Sequence, residues 1–129
     1  MRTRLDLLTI MVDDMPTMLA FYRDVLGFAV KRDRGGWVSL ENEGVRLALW
    51  ERKALKEQFP PVDFPAGLNG SFVLAITFPS REALDQAFQR IVKSGAQEMA
   101  SLADAPQWEM RSGWIADPEG NLIELAWHG

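Results

Sequence analysis

The chain has 129 residues, about half of them apolar, and 18 acidic side chains against 14 basic ones give a formal charge of −4. That length and composition suit one globular domain with a real core, while mild acidity without a basic run argues against nucleic acid or an anionic membrane as partner. The absence of cysteine excludes disulfides, thiolate catalysis and zinc–sulfur sites.

In chain order, residues 5–12 (LDLLTIMV) read as a strand. Two arginines precede this apolar stretch, but Leu7–Val12 is too short for a signal peptide and runs into Asp13 and Asp14. Asp14 and Pro16 are helix-start signals. Met18, Phe21, Tyr22 and Val25 then fall at i, i+3, i+4 and i+7, one face of a helix, and Gly27 is its stop. Three short strands follow at about 28–33, 36–41 and 45–51, separated by Gly35-Gly36 and Asn42-Glu43-Gly44. Arg52 to Asn69 carries Pro60, Pro61 and Pro65 and reads as a connection, with a short helix expected over Arg52–Phe59. No stretch reaches the ~20 apolar residues of a membrane span, and a cytoplasmic location is expected.

The second half repeats this order. Residues 71–78 (SFVLAITF) read as a strand, Ser80 as an N-cap, and Leu84, Ala87, Phe88 and Ile91 as a helix face stopped by Gly95. A meander from about 96 to 127 takes its last turn at Asp117-Pro118-Glu119-Gly120. GWVSLENEGVRLALW at 36–50 and GWIADPEGNLIELAW at 113–127 share Gly-Trp, a glycine-bearing turn and a closing strand that ends in Trp. The expected class is α+β, with two βαβββ modules at about 4–51 and 70–128 joined by residues 52–69.

The strings DMPTMLAFYRDVLGF and DPEGNLIEL resemble the two signatures of the glyoxalase, bleomycin-resistance and extradiol-dioxygenase superfamily, also called vicinal oxygen chelate proteins. The resemblance runs from Leu5 to Trp127. It implies curved mixed sheets around a central cavity, with modules paired within one chain or exchanged in a dimer; a homodimer is the expected assembly. It also implies four metal-ligand positions, on the first and last strand of each module. Here those positions hold Leu7, Ala48, Val73 and Glu124, and only Glu124 has a donor side chain. One carboxylate is too few to hold a catalytic transition metal. His128, the sole histidine, lies four residues from Glu124 on the same strand face, roughly 13 Å away. No metal and no cofactor are therefore expected.

Alternation places Leu5, Leu7, Thr9 and Met11 on one face of the first strand, and Arg46, Ala48 and Trp50 inward on the fourth. Ser71, Val73, Ala75 and Thr77 face inward on the fifth, and Leu122, Glu124 and Ala126 on the last. This wall is largely apolar with a few polar anchors, the ordinary character of a ligand pocket. Arg46 is a candidate partner for Glu124. Of the five tryptophans, Trp50 is directed inward, Trp108 borders the pocket from a loop, and core packing is favoured for Trp37 and Trp127. The facing of Trp114 is ambiguous. Arg111 is equally readable as an anchor for an anionic or carbonyl group and as a solvated edge-strand charge.

The favoured function is a metal-free binder of a planar or cationic small molecule, like the bleomycin-resistance branch. The alternative is a lyase or isomerase using Glu124 as base, or a non-standard metal site. A third reading is a structural or dimer-partner domain without a ligand.

Overall fold

The computed structural model describes residues 3–61 and 72–129. The chain divides into two compact units, Met1–Ala66 and Gly67–Gly129. Residues 62–69 of the expected connection, and Ser71, lie outside the described residues.

In the first unit, β1 (Leu7–Val12) leads into α1 (Met15–Ala20). Asp14 accepts the Thr17 N–H at 3.2 Å and its hydroxyl at 2.8 Å, which satisfies donors a helix leaves unpaired at its start. The expected single helix over this stretch instead widens into a π turn at Phe21–Val25. Leu26 N–H reaches back to Phe21 C=O at 2.9 Å, a five-residue step. Phe21 and Tyr22 stay buried on it, 5.5 Å apart edge to face. Gly27 ends the turn at φ +91, open to glycine at no steric cost.

Strands β2 (Val30–Asp33), β3 (Trp37–Leu40) and β4 (Arg46–Glu51) complete a sheet of order β1-β4-β3-β2. β1 and β4 are parallel, and the other pairs antiparallel. Alternation holds: Ile10, Val12, Val38, Leu40, Leu47 and Leu49 are buried on one face, with Met15 and Met18 of α1. α2 (Arg52–Gln58) occupies the stretch expected to hold a short helix.

The second unit repeats the topology. β5 (Leu74–Thr77), α3 (Arg81–Lys93), β6 (Gln97–Ala105), β7 (Met110–Ala116) and β8 (Leu122–His128) give the sheet order β5-β8-β7-β6. β5 and β8 are parallel and the remaining pairs antiparallel. Ser80 caps α3 by accepting the Ala83 N–H at 3.0 Å. Leu84, Phe88 and Ile91 are buried against the sheet with Ile115, Ile123 and Leu125; each such burial contributes roughly 1.5–3 kcal/mol. Gly113 lets this layer close, since a Cβ there would lie 2.5 Å from Phe88 Cε2. β5 is shorter than the expected 71–78 strand, and Phe72 and Val73 precede it, both exposed.

The Asp-Pro-Glu-Gly-Asn string is a hydrogen-bonded turn between β7 and β8. Asp117 is buried, and its Oδ1 accepts the N–H groups of Glu119 at 3.0 Å and Asn121 at 2.9 Å. Its Oδ2 accepts Asn121 Nδ2 at 2.7 Å. The local carboxylate replaces the missing ladder partners of the turn. This motif fixes the register of the strand that carries Glu124.

Candidate functional site

Each sheet has one face packed on its helix and one face turned away from it, and the residues read as a pocket wall fall mostly on the latter. In the first unit, Leu7 pairs with Arg46, Thr9 with Ala48, and Met11 with Trp50 across β1 and β4. β3 extends these rows: Ser39 lies opposite Ala48 and Trp37 opposite Trp50. Trp37, expected in the core, is thus half-buried on the same face as Trp50. Its partner is another indole rather than the helix layer. Phe59 adds a third ring, 6.3 Å from Trp50 and edge-on to it.

Arg46 is exposed, and Nη2 donates to Asp6 Oδ2 at 2.5 Å. The Arg46 guanidinium holds the Asp6 carboxyl below the usual range, first by this hydrogen bond and then by charge, with Arg4 adding to it. Arg46 therefore has a carboxylate partner inside its own unit, where the sequence offered Glu124.

In the second unit, Glu124 lies at the centre of its face. Ala75 of β5 is opposite it on one side and Trp114 of β7 on the other. Thr77, Ala126 and Ser112 form the next row. Glu124 is half-buried. Among the described residues of its unit no cation pairs with it. Trp114, whose facing the sequence left ambiguous, is its direct neighbour.

Two expected site residues are placed elsewhere. Arg111 is on the α3 side of β7, opposite Trp127. Its Nε donates to Asp85 Oδ1 at 2.8 Å and its Nη1 to Asp104 Oδ1 at 3.4 Å. The hydrogen bond to Asp85 leads the causes that raise its pKa. Arg111, part-buried on a central strand, serves as a tie between sheet and helix. Trp108 sits on a 3₁₀ turn, Pro106–Trp108, and is 71% exposed. Trp127 faces the helix layer, with Arg81 Cζ 5.2 Å from its ring centroid. His128 is exposed at the end of β8.

The divalent ion implied by the resemblance does not fit these residues. Leu7, Ala48 and Val73 offer no donor atom in their side chains, and Val73 is outside the strand. Among the described residues no three His, Asp or Glu side chains stand close enough to share an ion. No helix among them is long and apolar enough to cross a membrane.

Comparison with known proteins agrees with this architecture. A bleomycin resistance protein from Geobacillus stearothermophilus is 28% identical over 117 residues, 88% of this chain and 89% of that protein. Bleomycin resistance proteins of Staphylococcus aureus match to the same extent. Among solved structures, a glyoxalase-related enzyme from Fulvimarina pelagi shares the fold with a TM-score of 0.86 at 24% identity, covering 98% of this chain and 89% of that one. A glyoxalase/bleomycin resistance protein/dioxygenase from Nocardioides has a TM-score of 0.80 at 25% identity, over 99% and 85%. Residues 4–125 match the family described as Glyoxalase/Bleomycin resistance protein/Dioxygenase superfamily, and the chain belongs to it.

Proposed function

We propose that this chain is a metal-free small-molecule-binding protein whose ligand is planar and cationic, with Glu124 as its polar anchor. One observation carries the reading: Glu124 is half-buried at the centre of its sheet face, opposite Trp114, with no cation among the described residues of its own unit paired to it. A carboxylate next to an aromatic face is the chemistry that receives a flat cation, through charge, hydrogen bonding and cation–π attraction together. The apolar residues around it, Ala75, Leu122 and Ala126, leave room rather than competing donors, and Thr77 in the next row adds one hydroxyl. The likeness to proteins named for bleomycin resistance supports a binder over a catalyst. A homodimer in the cytoplasm is part of the proposal.

The test is a tryptophan-fluorescence titration with the planar cation proflavin, alongside metal analysis of the dialysed protein. Saturable quenching that weakens tenfold or more in Glu124→Gln is expected. Stoichiometric zinc, nickel, iron or manganese surviving dialysis overturns the reading, as does a Glu124→Gln affinity equal to that of the parent.

A further inference from the structure

From the first unit alone, we infer a second binding site, for a planar aromatic anion, where Trp37 and Trp50 meet Arg32 and Arg34. It goes beyond the reading above: it lies in the other unit and selects the opposite charge.

The site begins with the register of β3 and β4. Trp37 and Trp50 are directly opposed, so two indoles stand side by side on one face. β2 brings Arg32 to that face by pairing it with Ser39, two residues along from Trp37. Arg34 follows in the β2–β3 turn, where its N–H bonds to Trp37 C=O at 2.8 Å. Asp33 Oδ1 is engaged in this turn by the Gly35 N–H at 2.8 Å. α2 closes the far side. Glu51 N–H bonds to Gly36 C=O at 2.7 Å, and a Cβ on Gly36 would come within 3.0 Å of Ala54 Cβ.

These elements border an open hollow of about 480 Å³, lined by Arg32, Arg34, Trp37, Trp50, Ala54 and Gln58 together with Gly36. The volume is within the few hundred to ~1,000 Å³ typical of small-molecule sites. Among the described residues neither arginine has a carboxylate partner. One carboxylate is close: Glu51 Oε1 lies 3.8 Å from the point a Gly36 Cβ would occupy, though Glu51 does not line the hollow. A second, smaller hollow of about 290 Å³ shares Trp37 and Arg32 and adds Lys31, Arg46 and the carboxylate Glu41, with Arg46 already paired to Asp6. Among the described residues, the cations left without a carboxylate beside Trp37 and Trp50 are therefore Arg32 and Arg34.

The chemistry follows from what these groups can do together. Indole faces hold flat rings by area and offset stacking. Guanidinium groups bind carboxylate, sulfonate or phosphate through paired N–H donors, and they also stack on aromatic planes. Two unpaired guanidiniums beside one hollow repel each other, and an anion between them relieves that repulsion. A planar cation meets the same repulsion without relief.

The test uses three probes of one shape: 2-naphthoate, 2-naphthalenemethanol and 2-naphthylmethylammonium. Each is titrated by calorimetry against the full chain carrying Glu124→Gln, which removes the carboxylate proposed to receive a planar cation in the other unit. The expected result is that 2-naphthoate binds at least tenfold tighter than the neutral alcohol, and that the ammonium binds weakest. Arg32→Gln and Arg34→Gln should each reduce the naphthoate preference to threefold or less while leaving alcohol binding unchanged. Lys93→Gln, which removes the same charge from exposed α3, should leave all three affinities within twofold. Both arginines are exposed, so folding is expected to survive and is checked by circular dichroism. Equal affinity for the three probes overturns the inference, as does naphthoate binding indifferent to both arginine variants. Neither result touches the proflavin site, which stands or falls on Glu124.

Discussion

Arg111 of β7 and Asp85 of α3 are joined at 2.8 Å, Nε to Oδ1, and the same guanidinium reaches Asp104 of β6 at 3.4 Å. One side chain therefore ties three elements of the second unit. Its side chain is only 21% exposed, against 41% for Asp85. Arg111→Met keeps the aliphatic stem and removes the charge-assisted bonds. It should lower unfolding free energy by about 1–2 kcal/mol in urea denaturation. It should also leave probe binding at either proposed site unchanged. A variant as stable as the parent would mean the tie is ornamental.

Gly113 and Phe88 set the spacing between sheet and helix. Gly113→Ala puts a methyl group 2.5 Å from Phe88 Cε2 and 3.1 Å from Leu102 Cδ2. The strand backbone and the buried ring must then separate, at a cost of about 1–3 kcal/mol. Combining it with Phe88→Leu should cost less than the two single changes added together, a coupling that a double-mutant cycle reads directly. Simple additivity would contradict this contact.

Asp117 supplies both carboxylate oxygens to the turn before β8. Asp117→Ala leaves two turn N–H groups without their acceptor and should destabilise by about 2 kcal/mol or more. Asp117→Asn keeps one acceptor and should cost less. Thermal denaturation of the pair orders them, and the reverse order would refute the hydrogen-bond account.

Asp6 titrates under the influence of Arg46, which holds its carboxyl below the ordinary aspartate value. A folded value lowered in this way contributes stability above the unfolded value, near 3.9, and that contribution fades as pH falls through the lowered one. Both partners are exposed, so the readout is the titration itself rather than global stability. Carbon-detected NMR should place the Asp6 midpoint below 3.9 (about the free value) and shift it upward toward that value in Arg46→Ala, with Arg4 still holding it down in part. A midpoint unmoved by that substitution would exclude the pairing.

Much of the fold was legible because period-two and helical spacing are local properties. Leu8, Ile10 and Val12 against Leu7, Thr9 and Met11 divide β1 as alternation requires, and Leu84, Phe88 and Ile91 fall buried as spaced. Gly27 and Gly95, the two expected helix stops, adopt positive φ, at +91 and +105. The tryptophans were harder, since the repeat in letters is not a repeat in register. In the first hairpin Leu40 pairs with Leu47 and Trp37 meets Trp50. In the second, Ala116 pairs with Leu122, so Trp114 meets Glu124 and Trp127 falls on the opposite face. Turn length decided this, and a motif comparison does not weigh it. The pairing of Arg111 is not a local property either: its partner Asp85 is 26 residues away, on a different element. The π turn after α1 was also invisible, because Phe21 and Tyr22 keep the same buried side in either helix type.

The outer strands β2 and β6 share a property with consequences for how this protein behaves when crowded. β2 shifts register between Val30 and Arg32 and exposes Lys31, Arg32 and Asp33. β6 shifts twice, between Glu98 and Ala103, with Gln97 to Ser101 exposed. A regular, uncharged outer strand is a template on which another chain adds its own strand, the first step toward fibrous aggregates. Interrupted ladders deny that template at these two edges, helped by Lys31, Arg32 and Asp33 on β2 and by Glu98 on β6. The same arginine that is offered to an anion on the sheet face thus also guards the sheet against unwanted polymerisation.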